Sequence, residues 1–169
     1  NLASCPTVEL AAICDSSKKG LEDAAKRYPE ARQYSDIADV LSDKTIDAVV
    51  IATPSGMHFE HAHGALAAGK HAFVEKPLAH TTEEAVTLAE KAEQAGLTLM
   101  VGHTFLFNNV VHEVKKYIDS GELGEIYCAY SQRLNLGRFR SDSDVMWTLA
   151  PHDVSILNYW FDGLPEKVS

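Results

Sequence analysis

Short, nearly continuous apolar runs alternate with helical stretches of about a dozen residues, and this rhythm constrains the fold more than any other feature of the chain. Residues 8–14, VELAAIC, form an apolar run broken at Asp15, and Leu21, Ala24 and Ala25 follow at helical spacing. Residues 47–52, DAVVIA, end at Thr53-Pro54-Ser55 and lead into a helix that carries Ala62, Ala65 and Leu66 before Gly69 stops it. Residues 71–74 end at Glu75-Lys76-Pro77. Thr81-Thr82-Glu83-Glu84 reads as a capping box, opening a helix with Ala85, Leu88, Ala89 and Ala92 on one face and Gly96 at its end. Residues 97–101, LTLMV, close the series. Strands without polar alternation are buried on both faces, so the pattern predicts a parallel sheet in an α/β layer.

After Gly102-His103 the rhythm changes. A helix carrying Val110, Val111, Val114, Tyr117 and Ile118 stops near Gly121 and Gly124, and residues 126–133 open what reads as a second unit. The expected division is therefore 1–103 and 104–169. Pro151 is expected to open a further helix, and a strand to start at residues 167–169. With 46% hydrophobic and 23% charged residues the chain should fold, and 15 Lys and Arg against 24 Asp and Glu leave a net charge of -9. That field repels phosphate backbones and anionic headgroups, so neither nucleic acid nor a membrane is an expected partner. Cys5, Cys14 and Cys128 are odd in number and form no Cys-x-x-Cys pair, which suits reduced thiols in a cytoplasm and argues against thiolate zinc.

Ligands of open parallel sheets bind beyond the carboxyl ends of the strands, where this chain places Asp15, Thr53, Glu75 with Lys76, and His103. A carboxylate there can accept both hydroxyls of an adenosine ribose and repel a 2′-phosphate, favouring NAD over NADP, although Lys18 and Lys19 leave NADP open. Asp15 serves equally well as an N-cap. A Gly-x-Gly-x-x-Gly phosphate turn is absent, since none of the ten glycines lies two residues from another. Its first strand and turn are expected to precede Asn1, that strand lying between those that end at Asp15 and Thr53. Residues 2–6 would then be the tail of the following helix, and the chain as it stands is expected not to bind NAD.

The segment from Ala52 to Ala79 has Thr53-Pro54-Ser55-Gly56-Met57-His58, then an Ala-rich helix ending Gly69-Lys70-His71, then Glu75-Lys76-Pro77. It closely resembles the glucose-fructose oxidoreductase, inositol dehydrogenase and rhizopine catabolism (Gfo/Idh/MocA) family, and the resemblance extends over essentially the whole chain. It implies an NAD(P)-dependent oxidoreductase of sugars, polyols or nucleotide sugars. Residues 1–103 would be a partial Rossmann-like NAD(P)-binding domain, and 104–169 the beginning of an α+β substrate domain through which the intact protein forms a homo-oligomer. The resemblance places Asp15 at the adenosine ribose and Thr53, Pro54, Ser55 and His58 along the cofactor. Glu75 and Lys76 would face the nicotinamide, with His103 a further cofactor contact. Lys76 would polarise the substrate oxygen; read without the resemblance, it is a surface lysine or a Schiff-base former.

The family's Asp-x-Gly-x-His maps onto Thr148-x-x-x-His152, so the histidine base is kept and the aspartate is not. Asp153 is no obvious replacement, because helix neighbours point about 100° apart. At the first turn of a helix the dipole would keep His152 neutral, ready to accept a proton, whereas a packing role needs no such arrangement. His58, Glu60, His61 and His63 crowd one segment, but only His58 and His61 share a helix face, so no metal is expected. Gln132, Arg133, Asn135, Arg138 and Arg140 are either contacts for an anionic substrate or a solvated loop. Trp147, Tyr159 and Trp160 read as core or interface aromatics. The catalytic pair is thus Lys76 and His152, with a non-catalytic sugar or dinucleotide sensor and a Schiff-base lyase as rival readings.

Overall fold

The computed structural model describes residues 2–134 and 144–168, which leaves Asn135, Arg138 and Arg140 outside the described residues. Five short strands appear in order, β1 (Ala12–Cys14), β2 (Arg32–Tyr34), β3 (Ala48–Ile51), β4 (His71–Val74) and β5 (Leu99–Val101). Six helices accompany them: α1 (Lys18–Arg27), α2 (Ile37–Ser42), α3 (His58–Ala67), α4 (Thr82–Ala95), α5 (Asn109–Asp119) and α6 (Val145–Phe161). Every strand pairing is parallel, as expected, in the order β1-β2 and β3-β4-β5. No described strand joins β1 to β3, the position at which the sequence calls for a further strand. Residues 2–4 form a single 3-10 turn.

The core lies where β3, β4 and β5 meet α3 and α4. Ile51, Ala62, Ala65, Leu66, Ala72, Val74, Leu88 and Ala92 are buried together, with Leu41, Val49, Phe59, Leu78, Leu97 and Leu99 packed around them. Four alanines in that set let helix and sheet approach closely, and Leu88 and Val74 fill the volume between. Truncating a fully buried leucine such as Leu88 typically costs about 2–5 kcal/mol. Helix α4 begins as the sequence predicts, with Thr81 Oγ1 accepting the Glu84 N–H. The reciprocal bond of a capping box is shifted by one residue, because the Glu84 carboxylate accepts from the His80 N–H at 3.2 Å.

Strand β2 and helix α2 were not legible in the sequence. Neither has a clear apolar run; polar contacts hold them instead. Asp43 pairs with the Arg32 guanidinium at 2.6 Å and accepts from Tyr34 Oη at 2.9 Å and from both the N–H and the hydroxyl of Thr45. Lys70, 3% exposed, donates to the carbonyls of Asp43 and Ile46 at 2.6 and 2.8 Å, so the loop after α2 closes onto the end of α3.

Helices α5 and α6 form their own pair. Trp160 donates its indole N–H to the Val111 carbonyl at 2.9 Å, Tyr159 meets His112 at 3.0 Å, and the buried Lys115 joins Asp119 to Asp162. Tyr159 and Trp160 are thus interface aromatics. Residues 126–133 carry no helix or strand, and two expectations need correction here. Residues 167–168 form no strand. Pro151 lies inside α6 instead of opening a helix. No helix of the described residues is long and apolar enough to cross a membrane.

The hydrogen bonds from Thr45, joined by Tyr34 and the Arg32 charge, hold the Asp43 carboxyl down to about 2 against an ordinary 3.8. A carboxyl with a depressed folded-state value stabilises the fold above its unfolded value and loses that contribution as pH falls through the folded one. Asp43→Asn should therefore flatten the loss of stability between about pH 4 and about pH 2, and urea titrations across that window check it.

Candidate active site

Parallel register carries the ends of β3, β4 and β5 to one edge, with Ile51 beside Val74 and Val74 beside Val101. The residues that follow these strands, Ala52 to Ser55, Glu75 to Pro77 and Gly102 to His103, therefore converge although up to fifty positions separate them. Glu75 stands against Gly102, where a Cβ would come within 3.1 Å of its carboxylate oxygen. Gly102 thus leaves room for Glu75. Next in the chain, His103 closes a tight turn through its N–H to the Val101 carbonyl at 2.8 Å.

Lys76 reaches away from the sheet and donates to the main-chain carbonyl of Thr148, in α6, at 2.6 Å. The Thr148 hydroxyl turns back to the Asp144 carbonyl at 2.7 Å, so it is the backbone of residue 148 that meets the lysine. The same helix carries His152, which is 9% exposed and packs its ring against Phe105 at 4.7 Å. Arg133 covers the Phe105 ring at 4.7 Å and pairs with Asp153 at 2.7 Å, while Ser131 donates to the other Asp153 oxygen. Arg133 is thereby committed to holding Asp153. Burial opposes ionisation of Asp153, but the bonds from Arg133 and Ser131 prevail and keep its carboxyl below the ordinary value.

Burial also pushes His152 below the usual histidine range, and the charges of Lys76 and Arg133 push it further. His103 is lowered by the same two causes, burial first and the Lys76 charge second. This lowering has a different cause from the one the sequence suggests for His152. The residue sits midway along α6, not in a first turn, so desolvation and neighbouring charge replace the helix dipole. Among the described residues neither His103 Nδ1 nor His152 Nδ1, both buried, has a hydrogen-bond partner.

Two cavities adjoin this cluster. One of about 200 Å³ is lined by Ala52, Thr53, Ser55, His58, Glu75, Lys76, Pro77, Trp147 and Thr148. The other, about 540 Å³ and largely apolar, is bounded by His103 and, on α6, by Met146, Trp147, Ala150, Pro151, Val154, Ser155 and Asn158. Trp147 borders both and stacks on His80, whose ring meets Ser55 Oγ at 3.0 Å. The sequence reading placed Trp147 in a core or an interface; no periodicity could show that α6 folds it over the loop after β3.

Asp15, at the end of β1, is not the N-cap of α1. Ser17 is, accepting the Gly20 N–H at 3.2 Å, while Asp15 accepts the Ser17 N–H at 2.8 Å. A Cβ on Gly20 would lie 2.4 Å from Asp15 Oδ2, so only glycine leaves the carboxylate where it is. His58 and His61 share one face of α3 as predicted, and both turn to Thr53, His58 toward the carbonyl and His61 toward the hydroxyl. His58 is 2% exposed and its second ring nitrogen faces the Pro77 carbonyl, which leaves it no group for a metal.

Residues 2–103 match the Gfo/Idh/MocA model, described as an oxidoreductase family with an NAD-binding Rossmann fold. The chain belongs to this family. It is 32% identical over 126 residues to an NADP-dependent scyllo-inositol 2-dehydrogenase of Bacillus subtilis, a match covering 75% of this chain and 34% of that protein. Over 160 residues it is 32% identical to a 4-carboxy-2-hydroxymuconate-6-semialdehyde dehydrogenase of Sphingobium, covering 90% of this chain and 51% of that one. The WlbA dehydrogenase from Bordetella pertussis, solved with NADH and UDP-GlcNAcA, superposes with a TM-score of 0.77 at 30% identity, over 90% of this chain and 47% of that structure. The chain thus spans a third to a half of the length of these relatives.

Gly20→Ala tests how tightly Asp15 is seated. The methyl group should displace the carboxylate and break its bond to Ser17, which the amide resonance of Ser17 would report. The melting temperature should change by only a few degrees, because alanine in a helix recovers about 1 kcal/mol over glycine.

Proposed function

We propose that this chain carries the cofactor end and the acid–base pair of an oxidoreductase that transfers a hydride between NAD and a secondary hydroxyl of a sugar, polyol or nucleotide sugar. The observation that carries the reading is the convergence of Lys76 and His152. One follows β4 and bonds the Thr148 carbonyl, and the other lies one turn further along the same helix, α6. The fit to a dinucleotide rests on the chain's own features: a carboxylate beyond β1 held in place by Ser17 and uncovered by Gly20, and a polar cavity between the loops after β3 and β4. Asp15 would hold the adenosine ribose, and Thr53, Pro54, Ser55, Glu75 and Lys76 the nicotinamide end. When bound there, NAD supplies the hydride acceptor.

The residues then divide the remaining work. Lys76 carries three N–H donors on a flexible stem and would turn one to a substrate oxygen, stabilising negative charge as that oxygen loses its proton. His152, kept neutral by burial and by Lys76, has a ring nitrogen able to accept the proton. His103, neutral for the same reasons, faces the larger cavity, whose apolar lining suits the face of a cyclic substrate. The boundary between cofactor and substrate units is proposed at residues 103 and 104, where β5 ends and the helical pair begins.

A second reading, a sensor that binds without turnover, draws on Thr148, which offers His152 no carboxylate. Both are separated in the full-length protein with a panel of myo-inositol, scyllo-inositol, glucose and UDP-N-acetylglucosaminuronate, following absorbance at 340 nm, the standard signature of the reduced nicotinamide. Lys76→Ala should lower kcat about 100-fold or more while calorimetry finds a much smaller loss of NAD affinity. A sensor would show no wild-type turnover.

The pH profile gives an independent check. Oxidation should decline as pH falls through the lowered value of His152, because a protonated ring accepts nothing. In Lys76→Met the charge that depresses His152 is gone, so the acid limb should move to higher pH.

A further inference from the structure

Helix α3 begins at His58 without a side-chain cap from Met57, and its first side chain folds back into the sheet edge. The His58 ring is 2% exposed; Nδ1 lies 2.6 Å from the Pro77 carbonyl oxygen and Nε2 lies 2.8 Å from that of Thr53. These carbonyls belong to the loops after β3 and β4, whose last residues, Ile51 and Val74, are paired neighbours. One ring thus spans the two loops that line the smaller cavity, and one of its contacts falls on the residue next to Lys76. A carbonyl oxygen only accepts, so holding both at once takes an N–H on each ring nitrogen, and a ring so engaged, with almost no surface, has nothing to offer a dinucleotide unless it gives up a bond.

We propose that His58 is a positioning residue, clasping the Thr53 and Pro77 carbonyls together and so setting where the Lys76 ammonium stands, without touching cofactor or substrate. Its kinetic consequence rests on the oxidoreductase reading; its structural one does not. The Pro77 contact is the one that governs Lys76, because the adjoining peptide ties the Pro77 carbonyl to the lysine backbone, whereas the Thr53 contact governs the loop after β3.

Asparagine and glutamine separate the two contacts. The amide nitrogen of Asn at position 58 falls near that of Nδ1 and can donate to the Pro77 carbonyl; that of Gln falls near Nε2 and can donate to the Thr53 carbonyl. In the full-length protein His58→Gln should lower kcat by about 10- to 100-fold, the scale of a misplaced catalytic group, while KM and the NAD dissociation constant stay within about twofold. His58→Asn should retain most of kcat. Crystal structures of the variants read Lys76 without turnover: its Nζ should leave the Thr148 carbonyl, beyond about 3.5 Å, in His58→Gln and stay bonded in His58→Asn. Should His58→Ala fail to fold, these two variants still carry the test. Weakened NAD binding in both with Lys76 unmoved would overturn the clasp and make His58 a cofactor ligand, and equal losses of kcat in both would overturn it as well. If the wild type turns over nothing in the panel but Lys76 moves as described, the clasp stands and the oxidoreductase reading falls.

Discussion

Parallel pairing of β3, β4 and β5 is the constraint on which the rest of the site depends. Hydrogen-bonded neighbours running in one direction must end at one edge, and crossover helices must return the chain over the faces of the sheet. Helices α3 and α4 do this, and their alanines let them lie close enough to seal Ile51, Val74 and Leu88 from water. The polar residues that interrupt each apolar run are thereby assembled into a rim without any local signal between them. Glu75 against Gly102 and His58 between Thr53 and Pro77 are direct products of that register.

Electrostatics at the rim follows from burial more than from any single pair. Desolvation disfavours protonation of His103 and His152, and the Lys76 ammonium adds to the same effect. The aspartate that adjoins His152 in sequence bonds to Arg133 and Ser131, and its charge is the last and smallest influence on the histidine, opposing the lowering.

Helix α6 completes the arrangement from outside the sheet. Its carbonyl at Thr148 receives Lys76, its Trp147 stacks on His80, and its Ala150, Pro151 and Val154 wall the larger cavity. The clamp of Lys115 and Trp160 between α5 and α6 gives that helix its footing.

Apolar runs, capping residues and stop glycines sufficed to determine the α/β class, three of the five described strands nearly residue for residue, and the polar residues that follow the strands, Thr53, Glu75, Lys76 and His103 at one edge and Asp15 after β1. These are legible because local periodicity and the rule that ligands gather at strand ends need no long-range information. Strand β2 and helix α2 were not, because polar bonds to Asp43 and Lys70 hold them in place of an apolar pattern. Only the tertiary structure decided that His58 turns inward, that Ser17 and not Asp15 caps α1, that Arg133 is spent on Asp153, and that burial midway along a helix lowers His152. Each depends on which groups meet across the chain, and sequence spacing does not encode such meetings; folding creates them.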